Sequence, residues 1–200
     1  MRVHHHRNLP GVFAGRGSRI YDRTARTLLR GGLYARIADD LVDVLPDGAD
    51  VLDVGTGPGV LLTELARRRP DLHLVGGVDL SADMVSAAQR NLSEFGGRAT
   101  AQQGDVVDLP FAAGAFDLVV SSFSSHHWDD PPAAAVPELA RVLRPGGRLY
   151  VYDFGFAPFD VITETARSRG VFFGSSPVRT SRIRTGVLCP RRCTRQVLTA

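Results

Sequence analysis

VLDVGTGPG, residues 51–59, is an apolar run that leads directly into a glycine-rich turn. The run Asp50–Val54 is typical of a buried strand, and the residues from Val60 onward have the apolar spacing of a helix. Glycine has no Cβ and adopts positive φ readily, and the start of a helix offers backbone N–H groups without partners. The stretch therefore predicts a site where a small ligand lies against the backbone, and several kinds of nucleotide would suit it.

The spacing of the glycines narrows the choice of ligand. The dinucleotide fingerprint G-x-G-x-x-G, counted from Gly55 and Gly57, requires a third glycine at position 60, where this chain has Val60. A nucleotide-binding oxidoreductase is one alternative from another enzyme class. Val60 disfavours it, and so do the roughly 48 residues that precede the glycine-bearing strand.

Beyond the turn, predicted strands and helices alternate, as a parallel sheet requires, because each crossover must accommodate a helix. Two helices are expected within residues 21–45, further helices over 60–69, 81–95, 133–143 and 160–169, and strands over 50–54, 72–80, 99–104, 116–123, 149–154, 178–187 and 196–199. The expected fold class is α/β: a Rossmann-like, doubly wound, mostly parallel sheet with helices on both faces. Residues 1–45 would form an N-terminal flexible and helical cap, 46–155 the ligand-binding core, and 156–200 a segment that completes or truncates the sheet, all in one domain.

A second acidic position follows the next predicted strand, in GVDLS, residues 77–81. Asp79 lies 20 residues after Gly59, about where a carboxylate accepts hydrogen bonds from the ribose hydroxyls of an adenosine ligand. The alternative is a turn or capping residue, because a helix is predicted from Ser81. With the glycine turn in the same chain, we favour the ribose role.

A third acidic position ends the third predicted strand, in Gly104-Asp105-Val106. Asp105 could accept a hydrogen bond from an adenine amino group while Val106 packs on the ring, although an aspartate after a strand is usually a turn former. Two further segments, FDLVVS (residues 116–121) and RVLRPGGRL (residues 141–149), are mainly structural: a central strand, and a turn from helix to strand.

In this order and spacing, the five segments between residues 50 and 153 resemble the class I S-adenosylmethionine-dependent methyltransferases, especially the small-molecule branch with the ubiquinone and menaquinone biosynthesis C-methyltransferases. The resemblance implies S-adenosyl-L-methionine as cofactor, with Asp53 and the glycine turn at its methionine part, Asp79 at the ribose, and Asp105 with Val106 at the adenine. The cofactor-binding residues that it implies are Asp53, Gly55, Thr56, Gly57, Gly59, Asp79, Leu80, Asp105, Val106 and Ser121.

The acceptor side depends on the loop after the fourth predicted strand, SSFSSHHW, residues 121–128. Nucleic-acid and protein amino-methyltransferases of this fold have Asn or Asp, then Pro-Pro and an aromatic residue, at this place, so an adenine or cytosine amine is disfavoured as the acceptor. His126 and His127 could remove a proton near neutral pH, or they could simply hold the loop. Nothing in a loop sequence favours one histidine over the other. Tyr21-Asp22 resembles a segment that often closes over the cofactor.

The resemblance implies transfer of a methyl group to an oxygen, nitrogen or carbon atom of a small molecule. The alternative is a protein that binds S-adenosylmethionine without turnover, because only 46 residues follow Phe154 and they are arginine-rich with weak periodicity. A truncated end of that kind would expose one edge of the sheet.

Composition limits the partners. The 200 residues suit one globular domain, and no apolar stretch approaches the roughly 20 residues of a membrane span. A cytoplasmic location is therefore expected. All 24 basic residues are arginine, but no basic run exceeds residues 67–69 and aromatic residues are not interleaved, which disfavours nucleic acid as a partner. Cys189 and Cys193 have no further Cys or His at ligand spacing, so no metal site is expected, and the His4–His6 run is assigned no function.

Overall fold

The computed structural model describes residues 32–128, 132–172, 179–183 and 193–200. Its helices are α1 (Leu33–Val42), α2 (Val60–Arg68), α3 (Ala82–Leu92), α4 (Pro132–Val142) and α5 (Phe159–Ser168), with 3₁₀ helices at Ser93–Arg98 and Ser125–His127. Its strands are β1 (Asp50–Val54), β2 (Leu74–Asp79), β3 (Ala99–Gln103), β4 (Phe116–Ser122), β5 (Leu143–Phe154), β6 (Arg179–Ile183) and β7 (Cys193–Thr199). Tyr21-Asp22, the His4–His6 run and Cys189 lie outside these ranges. None of the helices within them is long and apolar enough to cross a membrane.

The seven described strands form one sheet in the order β3-β2-β1-β4-β5-β7-β6. Neighbours among β1 to β5 are parallel, whereas β7 is antiparallel to both β5 and β6. The strand order reverses between β1 and β4, and in doubly wound sheets a ligand binds outside the carboxyl ends of the strands at such a point. The predicted Rossmann-like, mostly parallel sheet is confirmed.

Two hydrophobic cores cover the two faces of the sheet, because successive residues of a strand face opposite sides. Val51 of β1 packs in the core that contains buried residues of α1, α2 and α3. The next residue, Leu52, packs in the core built with α4 and α5. The same alternation separates Val120 from Val119 in β4. The central strands are therefore buried on both faces, which explains their nearly unbroken apolar sequences.

The predicted start of the fifth strand was wrong by six residues, since β5 begins at Leu143 and not at position 149. Leu143 pairs with Phe116 ahead of an irregularity in the β4–β5 register, so the Arg-Pro-Gly-Gly turn falls inside the strand. The end of the chain holds this turn in place. The amide of Gly146 donates to the carbonyl of Ala200 at 2.8 Å, and the amide of Ala200 donates to the carbonyl of Gly147 at 2.8 Å.

Of the two outcomes expected for the C-terminal segment, completion of the sheet is the one observed. β7 pairs with β5 over its whole length, from Arg148↔Thr199 to Phe154↔Cys193, and β6 pairs with β7. The edge of β5 is therefore covered. β7 is a polar strand whose side chains find distant partners: Arg195 binds Asp40 of α1 at 2.5 Å, and Gln196 Nε2 donates to the carbonyl of Phe159 in α5 at 3.0 Å.

Candidate functional site

The predicted site residues gather along one edge of the sheet, where the parallel strands β1 to β4 end. The turn after β1 lies beside the end of β2, because the amides of Gly55 and Thr56 both donate to the carbonyl of Val78, at 2.8 and 3.0 Å. The turn after β3 continues this edge, since the amide of Gly104 donates to the carbonyl of Asp79 at 3.1 Å. The three predicted cofactor segments are therefore neighbours in space.

All three glycines of the turn have positive φ, 72° at Gly55, 54° at Gly57 and 74° at Gly59. They differ in the space around the position that a Cβ would occupy. A Cβ on Gly55 would lie 2.3 Å from the Cβ of Ser124, and a Cβ on Gly59 would lie 3.1 Å from the Cβ of Ala88. A Cβ on Gly57 would meet nothing within 4 Å. Gly55 and Gly59 are thus required by packing, whereas Gly57 faces open space that a ligand can occupy.

Asp79 connects this turn with the end of β2. Its Oδ2 accepts a hydrogen bond from the amide of Gly57 at 2.8 Å, and its Oδ1 accepts one from the amide of Ser81 at 2.9 Å. Burial raises the pKa of Asp79, and the two amides and the charge of His127 partly oppose that increase. Each carboxylate oxygen keeps a second lone pair, so the group can still accept hydrogen bonds from the vicinal hydroxyls of a ribose. Ser81 also caps α3, accepting a bond from the amide of Met84 at 3.4 Å.

Asp53 lies beneath the turn and not on its surface. Its side chain is fully buried, and Oδ2 accepts a hydrogen bond from the hydroxyl of Thr56 at 2.9 Å. Oδ1 is buried without a hydrogen-bond partner. Burial raises the pKa of Asp53 to about 8, and the nearby Asp79 adds to the increase while Thr56 opposes it. Asp53 and Thr56 therefore support the glycine turn from below, and the orphaned oxygen can accept a further donor.

The third segment presents an exposed surface beside Asp79. Asp105 is exposed, its Oδ1 accepts the amide of Val107 at 3.2 Å, and Val106 is half-buried against the core. Leu80 is 60% exposed, so its apolar side chain is available for contact with a planar base.

Two side chains of α4 bind the far end of the segment that carries Asp105. Glu138 Oε1 accepts the amide of Leu109 at 2.7 Å. Arg141 donates to the carbonyls of Leu109 at 3.0 Å and Phe111 at 2.8 Å, and to Glu138 itself at 2.6 Å. The loop that carries Asp105 is therefore fixed to α4 by charge-assisted hydrogen bonds.

The loop after β4 is joined to the glycine turn through Ser124. Its hydroxyl lies 2.9 Å from the carbonyl of Val54, to which it donates, and 2.7 Å from the hydroxyl of Ser121. Ser121 is fully buried, so its hydroxyl supports this loop and does not reach the surface of the site. The backbone at Phe123 has a positive φ of 55°, which is uncommon for a bulky residue and marks a tightly constrained turn.

The structure distinguishes the two histidines. His126 Nδ1 lies 2.8 Å from Oδ1 of the fully buried Asp153, whose Oδ2 also accepts the hydroxyl of Ser125 at 2.5 Å and the amide of His126 at 3.1 Å. Oδ1 further accepts the amide of Phe154 at 2.7 Å. Burial alone would raise the pKa of Asp153, but these hydrogen bonds hold it below its ordinary value. Asp153 thus fixes the ring of His126 and leaves Nε2 as the atom available for proton transfer.

Aromatic rings surround His126. Its ring centroid lies 5.7 Å from that of Phe154 and 5.6 Å from that of Phe156, and the two phenyl rings stack at 5.5 Å with 20° between their planes. The exposed ring of His127 lies 4.0 Å from the ring of His126. The two histidines therefore lie between Asp79, at the end of β2, and the rings of Phe154 and Phe156, at the end of β5.

The sequence analysis missed Asp153, Ser124, Phe154 and Phe156 as functional candidates. Asp153 did carry a signal, because an acidic residue inside the apolar run of β5 is expected to have a buried partner. No such signal marked the others. Within the described ranges, no three Cys, His, Asp or Glu side chains are grouped so that they could hold a metal ion.

Comparison with known proteins identifies the family of the central segment. Residues 51–147 match the family model described as a methyltransferase domain. The nocamycin O-methyltransferase of Saccharothrix syringae is 38% identical over 142 residues, which cover 70% of this chain and 46% of that protein. The demethylmenaquinone methyltransferase of Beutenbergia cavernae is 36% identical over 150 residues, which cover 72% of this chain and 59% of that protein. The chain spans about half the length of the curated relatives it matches.

A solved structure supports the fold. The crystal structure of an S-adenosylmethionine-dependent methyltransferase from Aquifex aeolicus superposes with a TM-score of 0.69 and 20% identity, covering 92% of this chain and 97% of that one. Identity at that level speaks for the fold alone. Residues 51–147 therefore form a methyltransferase domain, and the sheet order and the glycine turn support a class I S-adenosylmethionine-dependent methyltransferase.

Proposed function

We propose that this protein transfers a methyl group from S-adenosylmethionine to an oxygen, nitrogen or carbon atom of a small molecule. The observation that carries the proposal is the junction at Ser124, whose hydroxyl joins the loop bearing His126 to the carbonyl of Val54, directly ahead of the glycine turn. This contact supports the proposal that a cofactor on the turn would lie near His126, the candidate base. S-adenosylmethionine, when bound, supplies an electrophilic methyl carbon on a sulfonium.

The residues present fit this cofactor. The open space over Gly57 accommodates a ligand that approaches the backbone, and Asp79 keeps lone pairs for the ribose hydroxyls. Leu80 and Asp105 offer an apolar surface and an acceptor for the adenine. The unpartnered Oδ1 of Asp53 lies below the turn, where the methionine part would be held. The chain's task is then mainly alignment, because attack on the methyl carbon must be in line.

His126 is the residue to which we assign proton removal, with Asp153 as the group that positions it. His127 stays a prediction for the same role; it lies on the Asp79 side, where its charge partly opposes the increase in the pKa of that carboxyl group. The cytoplasmic location and the disfavoured nucleic-acid partner also stay predictions from the sequence.

Isothermal titration with S-adenosylhomocysteine tests cofactor binding. We expect Asp79→Ala and Gly57→Val both to weaken binding at least tenfold, a loss of about 1.4 kcal/mol or more. Gly48→Val is the matched control, because Gly48 has a similar φ of 67° and the same open space but lies in the turn ahead of β1. Equal loss in the Gly57 and Gly48 variants would mean that backbone strain, not ligand contact, explains the effect.

Turnover needs a separate test, since a protein that only binds the cofactor would give the same titration. Incubation with S-adenosylmethionine and a fractionated extract of small metabolites should release S-adenosylhomocysteine. Release that His126→Gln abolishes, while titration shows unchanged cofactor binding, would support methyl transfer. Binding without any release would favour the protein without turnover.

A further inference from the structure

We infer that Asp53 carries a proton in the free protein and loses it when a ligand's ammonium group binds at the glycine turn above it. The buried carboxyl group thereby selects ligands that have an amino group, and it makes their binding depend on pH. The inference rests on the proposed function, because S-adenosylmethionine and S-adenosylhomocysteine both have an ammonium group in their amino-acid part. It concerns the control of cofactor binding at the same site.

Asp53 is a buried acid with few hydrogen-bond donors around it. Its side chain is fully buried, Oδ2 accepts the hydroxyl of Thr56 at 2.9 Å, and Oδ1 has no partner among the residues that the structure describes. The residues that pair with it on the neighbouring strands are Gly77 of β2 and the apolar Val120 of β4. A buried carboxylate without donors or a cation is costly, whereas a protonated carboxyl group is neutral. These surroundings therefore favour the protonated form.

A second aspartate on the same strand shows what a cation changes. Asp50, at the start of β1, is also buried, but Arg144 donates to its Oδ2 at 2.7 Å, and Nδ1 of His73 lies 2.7 Å from its Oδ1. Burial raises the pKa of Asp50, and these two contacts hold it below its ordinary value. Burial raises the pKa of Asp53 to about 8, and the negative charge of Asp79 adds to the increase. Asp53 therefore lacks the compensation that Asp50 has.

The proton belongs to Asp53 and not to the neighbouring Asp79. Asp79 accepts the amides of Gly57 and Ser81, at 2.8 and 2.9 Å, and the charge of His127 also favours its ionised form. Asp53 accepts a single hydroxyl. When two carboxyl groups are close, the one with fewer donors keeps the proton more firmly. The two groups therefore share one negative charge in the free protein, and that charge lies on Asp79.

The charged side chains on the elements packed around β1 do not supply a counter-ion for Asp53. Several of them are bound in pairs: Glu64 with Arg68, Asp40 with Arg195, Asp117 with Arg144, and Asp153 with His126. Others are exposed to solvent: Arg36, Asp39 and Asp43 on α1, Arg67 on α2, and Asp83 and Arg90 on α3. A cation that arrives with a ligand therefore meets an acid without a counter-ion.

The glycine turn connects Asp53 with the space for the ligand. Thr56, whose hydroxyl binds Asp53, is followed directly by Gly57, and a Cβ on Gly57 would meet nothing within 4 Å. A positive charge within about 4–6 Å of a carboxyl group favours its ionised form. An ammonium group at the turn therefore lowers the pKa of Asp53, and the proton passes to the buffer. One ammonium group is bound for each proton released, so the net charge of the buried site stays the same.

Isothermal titration with S-adenosylhomocysteine at pH 7, in phosphate and in imidazole, counts the released protons because the two buffers differ in their heat of ionisation. We expect about 0.9 proton per ligand, which is the protonated fraction of Asp53 one pH unit below a pKa of about 8. Asp53→Asn should release no proton. Asp43→Asn is the matched control, because it removes an exposed carboxylate and should release as many protons as the wild type.

The affinity should follow the same linkage. S-adenosylhomocysteine should bind the wild type about tenfold more tightly at pH 7 than at pH 6, and Asp53→Asn should lose this increase. A contribution from His127 is present in both proteins, so the difference between them isolates Asp53.

5′-Methylthioadenosine repeats the test on the unmodified protein. It has the adenosine and the sulfur atom but no amino acid, so it should bind without releasing a proton. Equal release with the two ligands, equal release in Asp53→Asn, or no release with S-adenosylhomocysteine would overturn the role assigned to Asp53. Failure of S-adenosylhomocysteine to bind at any pH would instead overturn the proposed function.

Discussion

Replacing Asp153 with asparagine should destabilise the folded protein and detach His126 from its support. The carboxylate is fully buried and accepts bonds on both oxygens: the amide of Phe154 and Nδ1 of His126 on Oδ1, and the hydroxyl of Ser125 and the amide of His126 on Oδ2. An asparagine side chain has one oxygen and one NH₂ group. Whichever way the amide is turned, one backbone N–H then faces a donor in place of an acceptor.

The magnitude follows from that mismatch. One buried N–H without an acceptor costs about 1–3 kcal/mol, and replacing the charge-assisted bond to His126 by a neutral one removes about 1 kcal/mol more. The hydroxyl of Ser125 can rotate and donate elsewhere, so it adds little. We therefore expect Asp153→Asn to lower the free energy of unfolding by about 2–4 kcal/mol at neutral pH.

The effect should also depend on pH in a defined direction. Because the folded-state pKa of Asp153 lies below its unfolded value near 3.8, the carboxylate stabilises the fold above that pH and the contribution is lost as the pH falls through the folded-state pKa. The difference between the wild type and Asp153→Asn should consequently shrink below about pH 3.8.

Urea unfolding followed by the fluorescence of Trp128, the single tryptophan, measures both effects. Asp43→Asn is a control for the loss of one negative charge, since Asp43 is exposed at the end of α1 and should change stability by less than about 0.5 kcal/mol. If Asp153→Asn were no more destabilising than Asp43→Asn, the buried network around Asp153 could not have the hydrogen bonds described, and the positioning of His126 would lose its basis.

Three further predictions concern the cofactor edge. Gly55→Ala should lower the free energy of unfolding by more than about 2 kcal/mol, because the positive φ disfavours alanine and the new Cβ clashes with Ser124. Adding Ser124→Gly should recover only the part due to the clash, and a double-mutant cycle measured by urea unfolding would show this. Because the folded-state pKa of Asp53 is raised to about 8, wild-type stability should fall relative to Asp53→Asn as the pH rises from 4 to 8, and parallel pH curves would contradict this. Glu138→Gln should weaken S-adenosylhomocysteine binding about two- to tenfold, because it loosens the loop that carries Asp105. Arg167→Gln is the control: it breaks an exposed ion pair of the same spacing in the sequence and should not change the affinity measured by titration.

The central fold could be predicted because its determinants are local. β1, β4 and the helices between them have apolar patterns of the right period, and the turn between β1 and α2 is marked by glycine. The three cofactor segments were also predictable, since the carboxyl ends of parallel strands lie at one edge whatever the loops contain. Local pattern and topology together therefore sufficed to bring these three segments together, and their contacts with the cofactor stay a prediction.

β7 could not be predicted with the same certainty, and the reason is physical. Its sequence is polar because its partners are polar: Arg195 meets Asp40, which lies 155 positions earlier, and Gln196 meets the carbonyl of Phe159 and the hydroxyl of Thr163. A polar side chain in a strand is unfavourable only when it is buried without a partner. No local pattern can report a partner at that sequence distance.

The acceptor half of the site has the same dependence on distant partners. His126 and His127 are adjacent in a 3₁₀ helix, and their rings lie 4.0 Å apart, so no rule of sequence separates them. What separates them is Asp153, 27 positions later, at the end of the strand that lies beside β4. A base is defined by the group that orients it as much as by its own ring. The pairing of β4 with β5 brings Asp153 to the ring of His126, and this contact is our reason for proposing His126 as the base.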